Sequence, residues 1–331
     1  MKICIDSYPF YLKPRIGPKI FLKRFSKCLS SNFEDITLHT RYNPTYEIGL
    51  FSTLNKSLFN KPYILRLDGL FIDKLNSNYN SLIENKKIFL SANQSSGIVF
   101  VSEYCKEIYE NLFGKLKKPY KIINNGVPLT IFKPNGKNLR KELEIKDNQF
   151  VLISSASWRR HKRLEETIKF FKIINKQIPN LILIILGEQK NDKLSEEKNI
   201  IFAGHIEEEN LDQWYRTANL YIHLAWIEPN ANSQAEAIAS GLPSICANNG
   251  GNFELVKKSD GGIVSKCDDK VNLGLIDYYN PPEPNYDTLK EDFLKKYNNY
   301  DKFKNKIVRS NVDILQSSNQ YVDFFKLILS K

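Results

Sequence analysis

Short runs of β-branched and aliphatic residues alternate along this sequence with longer amphipathic stretches. In the second half the predicted strands are FVLISSA, LILIILG, NIIFAG, NLYIHLA and PSICA, with helices near 163–177, 209–218, 233–240 and 252–258. The first half repeats the pattern with KICID, DITLHT, PYILRL, GIVFVS and YKIINN as strands, an amphipathic PKIFLKRFSKCL, and helices at 82–94 and 103–113. Strands regularly separated by helices predict βαβ units and parallel sheets.

The length of 331 residues accommodates two domains built from such βαβ units, since a domain commonly has about 150 residues. The polar, charged segment 134–149 is the natural boundary between them. We therefore predict an α/β fold with two Rossmann-like, doubly wound domains, 1–140 and 141–315. An amphipathic helix at 316–331 follows the second domain. Ligands of such folds bind at the carboxyl ends of the strands, so we expect a site in the cleft between the domains.

Composition excludes several classes of protein. With 42% hydrophobic and 26% charged residues, the chain matches a globular protein with sizeable cores. No apolar run approaches the ~18 residues of a membrane span, and Asp6 interrupts any secretory signal. The five scattered cysteines form no CxxC pair, which favours reduced thiols and a cytoplasmic location. The sequence also lacks a P-loop, a GxGxxG fingerprint and zinc-ligand spacing.

The net positive charge of the chain comes entirely from its first half. Residues 1–140 carry 22 lysines and arginines against 10 acidic residues, whereas residues 141–331 carry 26 against 27. This asymmetry indicates that the two halves meet different chemistry. A basic nucleic-acid-binding protein is one alternative, although no RNP-like motif or helix-turn-helix accompanies the charge, and we expect no nucleic-acid partner.

The most informative segment is HLAWIEPNANSQAEAIASGLPSICANNGGNFELV, residues 223–256. Glu228 lies in a loop after a strand, and Glu236 lies in the helix that follows. Ser233 and Glu236 have the spacing of a capping box, which would explain Glu236 without a ligand. The alternative is a site for a sugar phosphate: carboxylates accept hydrogen bonds from sugar hydroxyls, while Asn232 and Ser233 mark a helix N-terminus that can receive phosphate.

This segment resembles the Glu-x7-Glu motif of retaining glycosyltransferases of the GT-B fold, in particular glycosyltransferase family 4. Two further segments resemble the same family: SASWRRHKRLEETIKFF (155–171) and KIINNGVPLTIFKP (121–134). ILRLDG (64–69) and GIVFVSEYCKEI (97–108) are similar to first-domain segments of some members. The resemblance implies a GT-B fold whose C-terminal helix returns to the first domain.

The resemblance also implies a reaction. The second domain would bind a nucleoside diphosphate sugar, and the sugar would pass with retention to a glycan or lipid-linked acceptor on the first domain. No Asp-x-Asp motif is present, so we expect no metal and no other cofactor. Lys162 with Arg159 or Arg160 would stabilise the diphosphate. Glu236 would bind the donor ribose and Glu228 the transferred sugar. A GT-B sugar-nucleotide epimerase is a second alternative.

Four further residues have both a structural and a functional interpretation. Gly17 lies between the first strand and helix, where family members place glycines near the donor phosphate, but Gly-Pro also begins helices. Gly250 and Gly251 follow a strand and would face the donor in the family, or form a plain turn. Asp68 ends a first-domain strand and would act as a base or orienter for the acceptor hydroxyl, or belong to an Asp-Gly turn.

Basic residues interleaved with apolar ones predict a surface on the first domain for anionic lipid, and hence a peripheral membrane location. The apolar residues could instead face the core, leaving the cations merely solvated. The cations concerned are Lys13, Arg15, Lys19, Lys23, Arg24, Lys27, Lys115, Lys117, Lys118 and Lys121.

Overall fold

A computed structural model describes residues 1–10, 17–52, 58–72, 81–189, 199–271 and 276–331. The predicted cations Lys13 and Arg15 lie outside these residues. The described part of the chain contains two six-stranded sheets, and every strand pair in both is parallel. The predicted parallel α/β architecture is therefore confirmed.

The first sheet has the strand order β2-β1-β3-β4-β5-β6. Its strands are β1 (Lys2–Ile5), β2 (Thr37–His39), β3 (Ile48–Ser52), β4 (Tyr63–Leu67), β5 (Gly97–Phe100) and β6 (Tyr120–Ile122), and its helices are α1 (Gly17–Asn32), α2 (Ser81–Gln94) and α3 (Glu103–Phe113). Successive residues of a strand point to opposite faces. Thus Leu65 packs with α2 and α3 on one face, whereas Ile64 packs with α1 on the other.

The second sheet has the order β12-β11-β10-β7-β8-β9, in which the direction of winding reverses between β7 and β10. Its strands are β7 (Phe150–Ser155), β8 (Leu181–Leu186), β9 (Ile200–Gly204), β10 (Leu220–His223), β11 (Ser244–Ala247) and β12 (Gly262–Ser265). Its helices are α4 (Leu164–Asn175), α5 (Glu208–Thr217), α6 (Asn232–Ala239), α7 (Asn252–Lys258), α8 (Tyr286–Tyr297) and α9 (Tyr300–Lys304). Such a reversal opens a crevice at the carboxyl ends of the two strands concerned.

The chain returns to the first sheet through its last helix, α10 (Ile314–Leu329). Phe324, Phe325 and Ile328 join the core between α1 and the first sheet. Where the returning segment crosses the chain that leaves the first sheet, Val127 pairs with Asp313. A side chain on the neighbouring Gly126 would collide with the Asp313 carbonyl, so the crossing requires glycine. The predicted return of the C-terminal helix is confirmed.

Four elements of the described chain had no counterpart in the sequence prediction: β3, β12, α8 and α9. The β3 sequence, IGLFS, is buried in the sheet and contains glycine, so it has no polar–apolar alternation. The β12 sequence, GIVS, is only four residues long. Helix α8 is rich in charged residues, and Leu289 and Phe293 carry most of its buried apolar surface.

Candidate functional site

Two loops meet at the crevice of the second sheet. The loop after β7 contains a 3-10 turn, Arg160–Lys162, that leads into α4. The loop after β10 carries Glu228 and leads into α6. Because β7 and β10 are neighbours in the sheet, their carboxyl ends bring these loops together.

Lys162, Glu228 and His223 form a connected cluster in this crevice. The Lys162 ammonium is paired with Glu228 Oε1, and His223 Nε2 lies 2.9 Å from Glu228 Oε2. Burial raises the pKa of Glu228, but Lys162 and His223 outweigh it and hold that pKa well below its usual value. The site therefore contains a carboxylate that is ionised at neutral pH and held at both oxygens.

His223 is a residue that the sequence prediction missed. It is the last residue of β10 and points to the same face as Tyr221, whose hydroxyl lies 3.4 Å from His223 Nδ1. A histidine at the end of a strand beside the sheet reversal is the sequence signal for this contact.

The basic cluster after β7 divides into residues with different roles. Arg163 is fully buried and makes two hydrogen bonds to Asp268, of 2.9 and 2.8 Å, so its role is structural. Arg160 is paired with the buried Glu166 at 2.6 Å. Arg159 is exposed and has no ion pair with any residue that the structure describes. Of the two predicted arginines, Arg159 is therefore the one available to an anion.

His161 lies between these cations. Burial and the charge of Lys162 lower the pKa of His161 to about 4, so the ring is neutral at pH 7. The ring contacts Tyr278, with 4.9 Å between centroids. The positive charge of this loop thus comes from its lysine and arginines.

The capping-box interpretation of Glu236 is wrong. Helix α6 begins at Asn232 with Ala231 as its N-cap, and no side chain caps it. The Ser233 hydroxyl instead accepts a hydrogen bond from Tyr221 at 2.8 Å. Glu236 accepts one from Arg24 at 2.7 Å and one from Tyr215 at 2.9 Å. The Ser233 hydroxyl and the Glu236 carboxylate, which would form a capping box, are therefore hydrogen-bonded to residues of other elements.

The Gly250–Gly251 turn lies directly beneath the Glu228 loop. Gly250 has a φ of +76°, and a side chain there would collide with the Glu228 backbone. Gly251 donates its N–H to the Glu228 carbonyl at 2.8 Å. In this structure the Gly251 amide holds the Glu228 loop, as a turn residue would, and the predicted contact of Gly250 and Gly251 with the donor stays a prediction.

The first domain meets this site through a chain of amides. Asn232 donates to the Gly17 carbonyl at 3.0 Å and accepts from Asn125 at 2.9 Å. Asn125 in turn accepts from Arg66 at 2.6 Å, and Arg66 is paired with Asp68. The predicted residues Gly17, Asn232 and Asp68 are thus linked across the cleft. A side chain on Gly17 would meet only an ordinary contact, 3.6 Å from the Asn232 amide.

Asp68 retains one oxygen for a further partner. Its Oδ2 is buried and has no hydrogen bond among the described residues. Burial raises the pKa of Asp68 against the opposing charge of Arg66. The next residue, Gly69, lies against Pro229, which follows Glu228. The strand end that carries Asp68 therefore meets the loop that carries Glu228.

The cleft is closed in this structure. Trp226 and Ile227, from the loop that carries Glu228, are buried in the core cluster of the first domain. Glu254 of α7 accepts hydrogen bonds from the Glu103 and Tyr104 amides at the start of α3, at 3.0 and 3.1 Å.

Among the described residues, no group of three or more His, Cys, Asp or Glu is placed to hold a metal ion.

Comparison with known proteins identifies the kind of fold. Residues 135–283 match the family model described as glycosyl transferases group 1. The sucrose-phosphate synthase of Thermosynechococcus elongatus superposes with a TM-score of 0.77 at 13% identity, covering 99% of both chains. Anabaena Alr3699/HepE in complex with UDP-glucose gives a TM-score of 0.65 at 17% identity, covering 98% of this chain and 99% of that one. The fold is GT-B, and the predicted resemblance to group 1 glycosyltransferases is confirmed.

Curated proteins with similar sequences include two whose names describe a glycosyltransferase or a glycolipid synthase. Protein CapJ of Staphylococcus aureus is 24% identical, over 64% of this chain and 55% of its own. Putative glycosyltransferase YtcC of Bacillus subtilis (strain 168) is 27% identical, over 62% and 54%. The alpha-monoglucosyldiacylglycerol synthase of Streptococcus pneumoniae is 23% identical, over 46% and 37%. The chain spans about half the length of the first two relatives.

Proposed function

We propose that this protein is a retaining glycosyltransferase that moves a sugar from a nucleoside diphosphate sugar to a glycan or lipid-linked acceptor without a metal ion. The observation that carries the proposal is the Lys162–Glu228–His223 cluster at the sheet reversal of a GT-B fold. It combines a cation for a diphosphate with an ionised carboxylate for sugar hydroxyls. The match to glycosyl transferases group 1 and the likeness to a protein solved with UDP-glucose support the donor class.

The leaving diphosphate would be stabilised by protein cations. When the bond between the anomeric carbon and the diphosphate oxygen breaks, the electron pair goes to that oxygen and its negative charge grows. Lys162 and the exposed Arg159 supply positive charge, and α6 directs its N-terminal dipole into the same crevice. When the donor binds, the Lys162 ammonium would leave Glu228 and pair with the phosphate instead.

Glu228 would then bind the transferred sugar. Its depressed pKa keeps the carboxylate ionised, and ionised carboxylates make strong hydrogen bonds to hydroxyl donors. Asp68, from the first domain, has an unused oxygen and a raised pKa, which suit it to take the proton that the acceptor hydroxyl loses as its oxygen bonds to the anomeric carbon.

The acceptor would be reached at a membrane surface. On α2, Leu82 is 71% exposed, and Ile83, Leu90, Lys86 and Lys87 share its face. Phe89 stacks on Phe113 of α3, with 4.9 Å between centroids, so Lys115 and Lys117 follow close by. Exposed apolar residues among lysines suit the surface of an anionic membrane. No helix within the described ranges is long and apolar enough to cross a bilayer.

Not every predicted cation belongs to that surface. Arg24 is buried, and Phe21, Leu22 and Phe25 of α1 face the core. Lys118 is also engaged: its ammonium donates to the carbonyls of Ala92, Asn93 and Ser95 at the end of α2. The lipid surface proposed here is therefore α2 with the segment after α3.

A panel of nucleotide sugars tests the proposed function. We expect one UDP- or GDP-sugar to raise the midpoint of thermal unfolding, since a ligand at 100 times its Kd adds about 2.7 kcal/mol of stability. The same donor should be hydrolysed slowly or transferred to a glycan or glycolipid acceptor, with the anomeric configuration followed by NMR. Inversion of configuration, or the absence of a shift with any donor, would refute the proposal.

A further inference from the structure

Arg24 is a buried charge that the proposed chemistry does not use. It lies on α1 of the first domain and is only 7% exposed. Its guanidinium crosses to the second domain, where Nη2 donates to Glu236 at 2.7 Å and Nε donates to Glu208 at 2.8 Å. The guanidinium also lies over the Phe132 ring, 5.1 Å from its centroid. The two hydrogen bonds to carboxylates offset the cost of burying the Arg24 guanidinium.

Glu236 is held by one donor from each domain. Arg24 binds Oε1, and the buried hydroxyl of Tyr215, on α5, binds Oε2 at 2.9 Å. Tyr215 belongs to the second domain and is present whether or not the cleft is closed. Arg24 lies on α1 of the first domain, so its hydrogen bond to Glu236 requires α1 to lie against the second domain. The orientation of Glu236 therefore depends on closure of the cleft.

The network has spare hydrogen-bonding capacity beside Glu236. Arg24 Nη1 is buried and has no hydrogen-bond partner among the residues described. Each carboxylate oxygen has two lone pairs, so Glu236 can accept further hydrogen bonds after those from Arg24 and Tyr215. A hydroxyl group both donates and accepts, and here it would find a carboxylate and an unused N–H side by side. The two neighbouring hydroxyls of a ribose match this pair.

We propose that Arg24 is a positioning residue for Glu236, completing from the first domain the subsite for the donor's ribose and coupling ribose recognition to closure of the cleft. This inference rests on the proposed function, because it takes the donor to be a nucleoside diphosphate sugar. The inference adds Arg24 to the proposed donor site. Arg24 lies 212 positions before Glu236 in the chain and belongs to the first domain, whereas the nucleotide is proposed to bind the second.

The test compares a ligand that has a ribose with one that lacks it. Binding of UDP, of GDP and of inorganic pyrophosphate to the full chain is measured by calorimetry, and the tighter nucleotide is used for the variants. In Arg24→Gln and in Arg24→Lys, we expect nucleotide affinity to fall about tenfold and pyrophosphate affinity to remain within twofold of the wild type. Glu236→Gln should show the same selectivity, and Arg24→Gln/Glu236→Gln should bind no more weakly than Glu236→Gln.

Two control variants separate positioning from docking of the domains. Lys27→Gln changes an exposed cation on the same helix and should leave both affinities unchanged. Glu208→Gln loosens Arg24 from its other side and should change nucleotide affinity less than Arg24→Lys does. Arg24→Lys keeps the charge and the stem, so it serves if Arg24→Gln does not fold.

Three results would overturn the inference. One is unchanged nucleotide affinity in a folded Arg24 variant while Glu236→Gln is impaired, which would leave the proposed function intact. The second is an equal loss of nucleotide and pyrophosphate affinity, which would indicate loss of docking alone. The third is a wild-type chain that binds neither UDP nor GDP, which would remove the proposed donor class as well.

Discussion

Lys162 and Glu228 form an ion pair between the two loops that flank the reversal of the second sheet. Each is the residue that the proposed mechanism gives to one half of the donor, Lys162 to the diphosphate and Glu228 to the sugar. In this structure the charges of Lys162 and Glu228 therefore neutralise each other. In the proposed mechanism, donor binding would replace this ion pair with two contacts to the ligand, so removal of either partner should affect a different step.

Glu228→Gln should impair turnover more than donor binding. The amide keeps the size of the side chain but removes the negative charge and one acceptor, and loss of a single transition-state contact costs about 10²–10³ in kcat. We expect a fall of that order, with the donor KM changed by no more than about threefold. Initial rates at varied donor concentration give both constants. Glu209→Gln, an exposed change on α5, is the matched control, and near-normal kcat in Glu228→Gln would contradict the assignment.

Lys162→Ala should be almost inactive, whereas excess EDTA should have little effect on the wild-type rate. The reason is that a lysine, an arginine and a helix N-terminus are proposed to neutralise the leaving diphosphate in place of a divalent ion. Rates are measured before and after chelation and again with added Mg²⁺ or Mn²⁺. Lys169→Ala, at an exposed position on α4, controls for the change of charge. A rate lost on chelation and restored by either ion would refute metal independence.

The parts of this site that were predictable are those with local sequence signals. Lys162 and Glu228 lie in the loops that follow β7 and β10, within recognisable motifs, and βαβ alternation brings the carboxyl ends of strands to one edge of a sheet. The partners of Glu236 carry no such signal, because Arg24 is 212 residues away and reads as one more cation of an amphipathic helix. Asp68 was predictable as a polar strand end, but its pairing with Arg66 depends on Arg66 being wholly buried, where a lone charge would be costly.

Lys296 gives a prediction for stability against pH. Its ammonium is buried without a hydrogen-bond partner among the described residues, over the Phe303 ring at 3.7 Å, and burial lowers the pKa of Lys296 to about 7. The unfolded chain has a lysine pKa near 10.5. Between these values the unfolded chain binds the extra proton, so stability should rise as the pH rises from about 7 to about 10.

Lys296→Met should remove most of this dependence and raise the stability of the second domain at pH 7. Burying an unpaired polar group costs about 1–3 kcal/mol, and each kcal/mol shifts the unfolding midpoint of a domain of this size by about 2–4 °C. Thermal melts of both chains at pH 7 and pH 9 measure the effect. Lys295→Met, at the exposed neighbouring position, should behave as the wild type. A lower midpoint for Lys296→Met at pH 7 would show that the buried amine has a partner.

The proposed lipid surface should bind vesicles only when they are anionic. Each lysine near such a membrane contributes about 1 kcal/mol, so changing Lys86, Lys87, Lys115 and Lys117 to Glu should abolish sedimentation with phosphatidylglycerol vesicles. Lys118 is left intact because it binds the end of α2.

The matched control changes four exposed lysines of the second domain to Glu, and this variant should still sediment. The four are Lys266, Lys270, Lys295 and Lys302. Binding should weaken in 0.5 M salt, since the Debye length is ~10 Å at 0.1 M. Equal binding to neutral vesicles, or none to either kind, would indicate a soluble acceptor.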